Sequence, residues 1–138
     1  MAKVNEVMTT KVKFLHPEES LKDAAMKMRE FDVGVFPVVK EDKVTGILTD
    51  RDIVMRAIAE GKDPSNVQVQ NVMTTDVTTC YENQDLAEAV DMMKDKQIRR
   101  MIVLNKDNDK VAGIFSIGDI SNYDVAKSAL EEISKPNA

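Results

Sequence analysis

Val7-Met8-Thr9-Thr10 returns as Val72-Met73-Thr74-Thr75, and this recurrence decides the fold. The offset from Met8 to Met73 is 65 residues. At that offset Val12 aligns with Val77, Leu21 with Leu86, Ala24 with Ala89, Met28 with Met93 and Val38 with Val103. Two residues enter near Asn108-Asp109, and the offset becomes 67. Beyond that point Lys43-Val44 aligns with Lys110-Val111, Gly46-Ile47 with Gly113-Ile114, and Asp52-Ile53 with Asp119-Ile120. So many ordered positions with one small gap mark a duplicated unit. The connector Gly61-Lys62-Asp63-Pro64-Ser65-Asn66 combines helix breakers with turn formers. The expected division is therefore a first motif with its connector over 1–66 and a second over 67–138, together one domain.

Each half reads alike. A short β-like run (12–14; 77–79) leads through a polar loop to an amphipathic helix. Leu21, Ala24, Ala25 and Met28 fall at i, i+3, i+4, i+7, and Leu86, Ala89, Val90 and Met93 repeat the stripe. Ser20-x-x-Asp23 and Asp85-x-x-Glu88 are helix-start signals. Two strands follow as a hairpin, 35–39 with 44–48 and 100–104 with 111–115, joined by Lys40-Glu41-Asp42-Lys43 and by the polar run 105–110. A second helix closes each half, from about Asp50 to Glu60 before Gly61, and around Ala126, Ala129, Leu130 and Ile133. A half of this size is marginal alone. The expected fold is thus α+β: two tandem β-α-β-β-α motifs related by a pseudo-twofold, small sheets packed inside and helices outside. Met26, Met28, Met92 and Met93 are expected to fill core.

The 138 residues carry 43% hydrophobic and 31% charged side chains, with 19 basic against 24 acidic and a net charge of -5. Such apolar content excludes a disordered chain. The acidic balance and an aromatic content of 4% without Trp argue against nucleic-acid binding. The N-terminus has no apolar signal core, and no apolar run approaches the about 20 residues of a membrane span. A soluble, cytoplasmic protein is expected. Cys80 and His16 are each alone of their kind, which leaves no internal disulfide and no thiolate zinc site. A half-buried thiol and a surface imidazole are the expected roles. No nucleophile–base pair, metal triad or Gly-x-x-x-x-Gly-Lys loop is present, so no catalytic residue, no metal site and no obligatory cofactor are assigned.

Val33-Gly34-Val35-Phe36-Pro37-Val38-Val39 followed by Gly46-Ile47-Leu48-Thr49-Asp50-Arg51-Asp52-Ile53 resembles a cystathionine β-synthase (CBS) domain. Ile98-Arg99-Arg100-Met101-Ile102-Val103 and Gly113-Ile114-Phe115-Ser116-Ile117-Gly118-Asp119-Ile120 resemble a second, so that residues 4–123 resemble a CBS pair, or Bateman module. The resemblance implies a regulatory module that binds an adenosyl compound (AMP, ADP or ATP) in clefts between the two motifs. It also implies a homodimer formed through helical faces, which carries the signal to a regulated partner.

Thr49-x-x-Asp52 and Ser116-x-x-Asp119 each follow an apolar strand and open a helix. A helix start offers N–H groups and a positive dipole end to a phosphate, and one carboxylate can accept from both hydroxyls of a ribose. The same spacing is that of a capping box with no ligand implied. The resemblance favours ribose and phosphate binding by Thr49, Asp52, Ser116 and Asp119. Arg99 and Arg100 sit among residues apolar on both strand faces, so at least one guanidinium is expected in a partly buried place with a phosphate or an internal carboxylate as partner. The first half has Gly34-Val35 at those positions and Arg51 where the second has Gly118, so the two clefts are expected to differ. Arg51, Arg99 and Arg100 are the phosphate candidates. By resemblance the adenine pocket involves Thr10, Val12, Val33, Pro37, Thr75, Val77 and Ile98. The competing reading is a protein-interaction module with vestigial nucleotide clefts.

Overall fold

The computed structural model describes residues 2–120, so the closing helix expected around Ala126, Ala129, Leu130 and Ile133 lies outside the described residues. The architecture is α+β, with two small sheets. The chain divides into two compact units: Lys13–Val77, and Met1–Val12 together with Thr78–Ala138.

In the unit Lys13–Val77, helix α1 (Leu21–Phe31) starts where the Ser20 hydroxyl accepts a hydrogen bond from the Asp23 N–H at 3.1 Å, the expected N-cap. Leu21, Ala24 and Met28 are buried, whereas Ala25 and Met26 are exposed, contrary to expectation. The buried stripe is one residue narrower than the spacing suggested, and a single methyl at Ala25 gains little from burial. Strands β1 (Val35–Lys40) and β2 (Lys43–Thr49) pair antiparallel. Lys40 pairs with Lys43, and the two turn residues between them, Glu41 and Asp42, have φ of 52° and 66°. These are the dihedrals of a tight turn whose twist matches a hairpin. The strand expected at 12–14 is reduced to a single parallel bridge one residue later. Leu15 donates to the Pro37 carbonyl and accepts from Val39 N–H, both at 2.9 Å. Beyond β2, helix α2 (Asp50–Ile53) runs into a π-helical turn, Val54–Ile58, closed by an Ala59 N–H to Val54 carbonyl bond of 2.9 Å. Gly61 ends it at φ 73°.

In the other unit, β3 (Thr79–Tyr81) pairs parallel with β4 (Arg100–Leu104), and β4 pairs antiparallel with β5 (Val111–Ser116). The strand expected at 77–79 thus starts two residues later and takes in Cys80. Helix α3 (Leu86–Lys96) buries Leu86, Ala89, Val90 and Met93, the full expected stripe. Its N-cap Asp85 makes no capping bond, because its carboxylate pairs with Lys3 Nζ at 2.5 Å. Each hairpin shifts register at the aligned place, Val38/Val39 and Val103/Leu104.

The leading turn of each repeat is built into the unit of the other. In the first unit Val69 N–H donates to Glu19 (2.8 Å), Leu21 N–H to Val67 (2.9 Å), and Thr74 and Ile47 exchange two bonds of 2.9 Å. In the second, Val4 N–H donates to Gln84 (3.0 Å), Leu86 N–H to Ala2 (2.9 Å), and Thr9 and Ile114 exchange bonds of 2.8 and 3.1 Å. The 65- and 67-residue alignments therefore hold bond for bond, while the compact units cut across the sequence division at residue 66. Two glycines make the exchange possible. A Cβ on Gly46 would lie 2.6 Å from Met73 Sδ and 2.8 Å from the Thr74 carbonyl oxygen; on Gly113 it would lie 2.7 Å from Met8 Sδ and 2.8 Å from the Thr9 carbonyl oxygen.

Candidate functional site

Strand β2 delivers Thr49 to the start of α2, where it and Asp52 form a reciprocal capping box. Thr49 Oγ1 accepts from Asp52 N–H and Asp52 Oδ2 accepts from Thr49 N–H, both at 3.0 Å. The other carboxylate oxygen, Oδ1, faces the Thr74 hydroxyl at 3.4 Å and Arg56 Nε at 3.9 Å. Arg56 Nη1 in turn donates to the carbonyls of Val72 and Met73, both at 3.3 Å. The Asp52 side chain is only 13% exposed. Two N–H groups that the sequence reading offered to a phosphate are thus engaged in the cap. Arg51 is exposed, and its N–H donates to Asp50 Oδ1 at 2.8 Å. Arg56 was missed from the sequence, although its position four residues after Asp52 is the spacing of a helical ion pair.

The second constellation closes differently. Asp119, in the 3-10 turn Ile117–Ile120, accepts at Oδ2 from Ser116 N–H (2.9 Å) and from the Ser116 hydroxyl (3.1 Å). The serine hydroxyl donates to the carboxylate instead of capping the turn. Asp119 is exposed, and its Oδ1 has no partner among the described residues. Arg100 lies opposite Ser116 in the β4–β5 register, and Ile117 N–H donates to the Arg99 carbonyl at 3.0 Å. Ser116, Asp119, Arg99 and Arg100 are therefore brought to one end of one sheet. Both arginines are exposed, which corrects the expectation of a partly buried guanidinium. They stand at the sheet end, ahead of the buried run Met101, Ile102 and Val103, where long side chains reach water.

The adenine candidates divide by unit. Val33, Pro37, Thr75 and Val77 share a unit with Asp52; Thr10, Val12 and Ile98 share one with Asp119. Each Met-Thr-Thr segment thus accompanies the carboxylate of the other repeat. Val33, Thr10 and Thr75 are exposed, Val12, Val77 and Ile98 half-buried, and Pro37 is buried within β1.

Cys80 is 3% exposed in β3, and burial pushes its thiol up to about 12. It is more deeply buried than expected, and a neutral thiol is a poor nucleophile. His16 is exposed and accepts from Glu18 N–H at 3.3 Å. An open polar hollow of about 350 Å³ lies among Lys3, Tyr81, Asp85, Glu88 and Lys106. Within it the Lys3 ammonium holds the Asp85 carboxyl below the usual carboxylate range. Among the described residues no three His, Cys, Asp or Glu side chains converge on a metal position. No described helix is long and apolar enough to cross a membrane.

A duplicated α+β module with a carboxylate at each strand-to-helix turn defines the class. The CBS domain family matches residues 4–58 and 69–126. The chain belongs to the CBS domain family, and its two matched segments make a tandem pair. It is similar to the CBS domain-containing protein YhcV of Bacillus subtilis (strain 168), at 36% identity over 99% of each chain. A crystal structure of Hypoxic Response Protein I with two coordinated zinc ions superposes with a TM-score of 0.79 at 30% identity, over 89% of this chain and 99% of that one. The CBS domain pair of protein MJ0100, in complex with 5-methylthioadenosine and S-adenosyl-L-methionine, gives a TM-score of 0.75 at 25% identity, over 88% of this chain and 94% of that one.

Proposed function

We propose that the protein is a regulatory module that binds an adenosyl nucleotide, AMP, ADP or ATP, and catalyses no reaction. The two sequence motifs, 1–66 and 67–138, form one sensing domain. The observation that carries this reading is the aligned pair of carboxylates, Asp52 and Asp119, each set beside a hydroxyl at the end of a hairpin strand. Such a group accepts from both hydroxyls of a ribose, and Arg51, Arg99 and Arg100 supply cations for phosphate. The adenosyl compounds bound to the pair from MJ0100 support the same ligand class. Around the sugar, Thr10, Val12, Val33, Pro37, Thr75, Val77 and Ile98 are the proposed adenine contacts. Calorimetry with AMP, ADP and ATP tests the reading: saturable heat supports it, and absence of heat with all three overturns it.

A homodimer is the proposed working unit, in the cytoplasm. Val54, Met55 and Ile58 on the second helix are 55, 54 and 52% exposed, an apolar face that suits a second copy. Ligand changes signalling only through unequal affinity for two arrangements of that dimer. The same exposed face, together with the satisfied capping box at Asp52, favours the second reading, a protein-interaction module with vestigial sites. A partner bound equally with and without nucleotide would select it.

A further inference from the structure

We propose that the polar hollow among Lys3, Tyr81, Asn83, Asp85, Glu88 and Lys106 is a separate ligand site, for a free amino acid or a zwitterion of similar size. It does not rest on the adenosyl reading, because it lies at the other end of the sheet. Arg100 pairs with Ser116 at one end of the β4–β5 hairpin, and Leu104 pairs with Val111 at the other. Tyr81 pairs with Leu104, and Lys106 follows it on the hairpin loop. Four residue steps of strand, about 13 Å, separate the two ends.

The duplication supplies an internal control. At the 65-residue offset Lys3 aligns with Gln68, Lys106 with Glu41, Asp85 with Ser20 and Glu88 with Asp23. Both lysines are therefore particular to the second unit, and the shared fold does not require them. The capping differs too. Ser20 accepts from Asp23 N–H and caps α1, whereas Asp85 makes no capping bond on α3 and its carboxylate meets Lys3 Nζ at 2.5 Å. The second unit gives up a helix cap to hold an ion pair in the wall of the hollow. A local rule kept in one repeat and broken in the other points to a role beyond folding.

The charges define the ligand. Lys3 and Asp85 satisfy each other. Glu88, in the first turn of α3, and Lys106, on the hairpin loop, are the other two lining charges, one of each sign. The four sum to zero, so the wall favours a molecule with no net charge but with separated charges. An ammonium on the ligand donates to Glu88, and a carboxylate accepts from Lys106. A nucleotide, negative throughout its phosphates, would meet Asp85 and Glu88. The charge of Asp109 and its hydrogen bond push the Tyr81 phenol up, so Tyr81 stays protonated beside the Asn83 amide. None of the described lining residues is aliphatic, which suits a polar ligand. The hollow of about 350 Å³ falls at the small end of the range for such sites, about 300–1,000 Å³.

An NMR titration of the full chain tests this, with L-glutamine as the zwitterion, butylamine and butyrate as its separate halves, and ADP. Glutamine should shift the amide signals of Tyr81, Asn83, Glu88 and Lys106 saturably, and more tightly than either half. Lys106→Gln and Glu88→Gln should each weaken glutamine about two- to fivefold, the range for an exposed ion pair. The swapped pair Lys106→Glu/Glu88→Lys, with the ligand turned end for end, should bind more tightly than either single reversal, an outcome that a merely structural role would not give. Circular dichroism melts establish that each variant is folded. No saturable shift at these amides, butyrate or butylamine binding as tightly as glutamine, or ADP moving the same signals more tightly would each overturn the inference. ADP shifts confined to other residues would leave it standing.

Discussion

Replacing Gly46 by alanine tests the exchange of leading turns that builds each unit. The added Cβ would sit 2.6 Å from Met73 Sδ and 2.8 Å from the Thr74 carbonyl oxygen. The thioether can rotate aside; the carbonyl cannot, because it accepts from Ile47 N–H at 2.9 Å while Thr74 N–H donates to the Ile47 carbonyl, also at 2.9 Å. Overpacking of this kind costs about 1–3 kcal/mol. Removing glycine's freedom from the unfolded chain returns about 0.4–1 kcal/mol. The net expectation is a loss of about 1–2 kcal/mol. Gly113→Ala should lose a similar amount, because Met8 and Thr9 crowd it in the same way. Urea unfolding measures both, and amide exchange at Ile47 and Thr74 locates the first. Adding Met73→Ala to Gly46→Ala removes only the sulfur contact, so stability should not return to that of the Met73→Ala single variant. A Gly46→Ala protein as stable as the wild type, with Ile47 and Thr74 equally protected, would refute the packing argument.

Thr49→Ala should destabilise the ligand-free protein by about 0.5–2 kcal/mol, because it removes a helix cap; an unchanged urea midpoint would contradict the capping geometry. Cys80 should resist a thiol reagent in the native protein at pH 8 and react on unfolding. Its folded pKa of about 12 exceeds the ordinary 9.0, so its contribution to stability is complete below about pH 9 and declines as pH rises toward 12; prompt native labelling would contradict its burial. Lys3→Ala should raise the NMR-measured pKa of Asp85 toward the ordinary carboxylate value, since the Lys3 hydrogen bond and charge hold it down; an unmoved titration would place the cause elsewhere. Met55→Glu with Ile58→Glu should shift sedimentation toward a monomer if that face joins two copies, and an unchanged species would remove the face from the assembly.

The repeat made most of the fold legible. Apolar spacing located α1 and α3, and the polar turns located both hairpins, because these depend on local period and turn chemistry. The stripe on α3 was correct at every position, while that on α1 failed at Ala25, where one methyl decides little. What the sequence concealed was long-range. Nothing local says that Val69 joins Glu19 or that Val4 joins Gln84, so the grouping of Thr75 and Val77 with Asp52 emerged only from tertiary pairing. The demand for glycine at 46 and 113 arises from the same pairing. Arg99 and Arg100 misled because apolar neighbours imply burial in mid-strand but not at a sheet's end. Arg56 was visible as a helical spacing, but its anchorage on Val72 and Met73 was not.

Titrating the protein with ADP and with its 2′,3′-dideoxy counterpart asks most directly whether these carboxylates hold a sugar. Loss of charge-assisted hydrogen bonds worth about 1.5–3 kcal/mol should weaken the dideoxy compound about ten- to a hundredfold. Equal affinity for the two compounds would contradict the account.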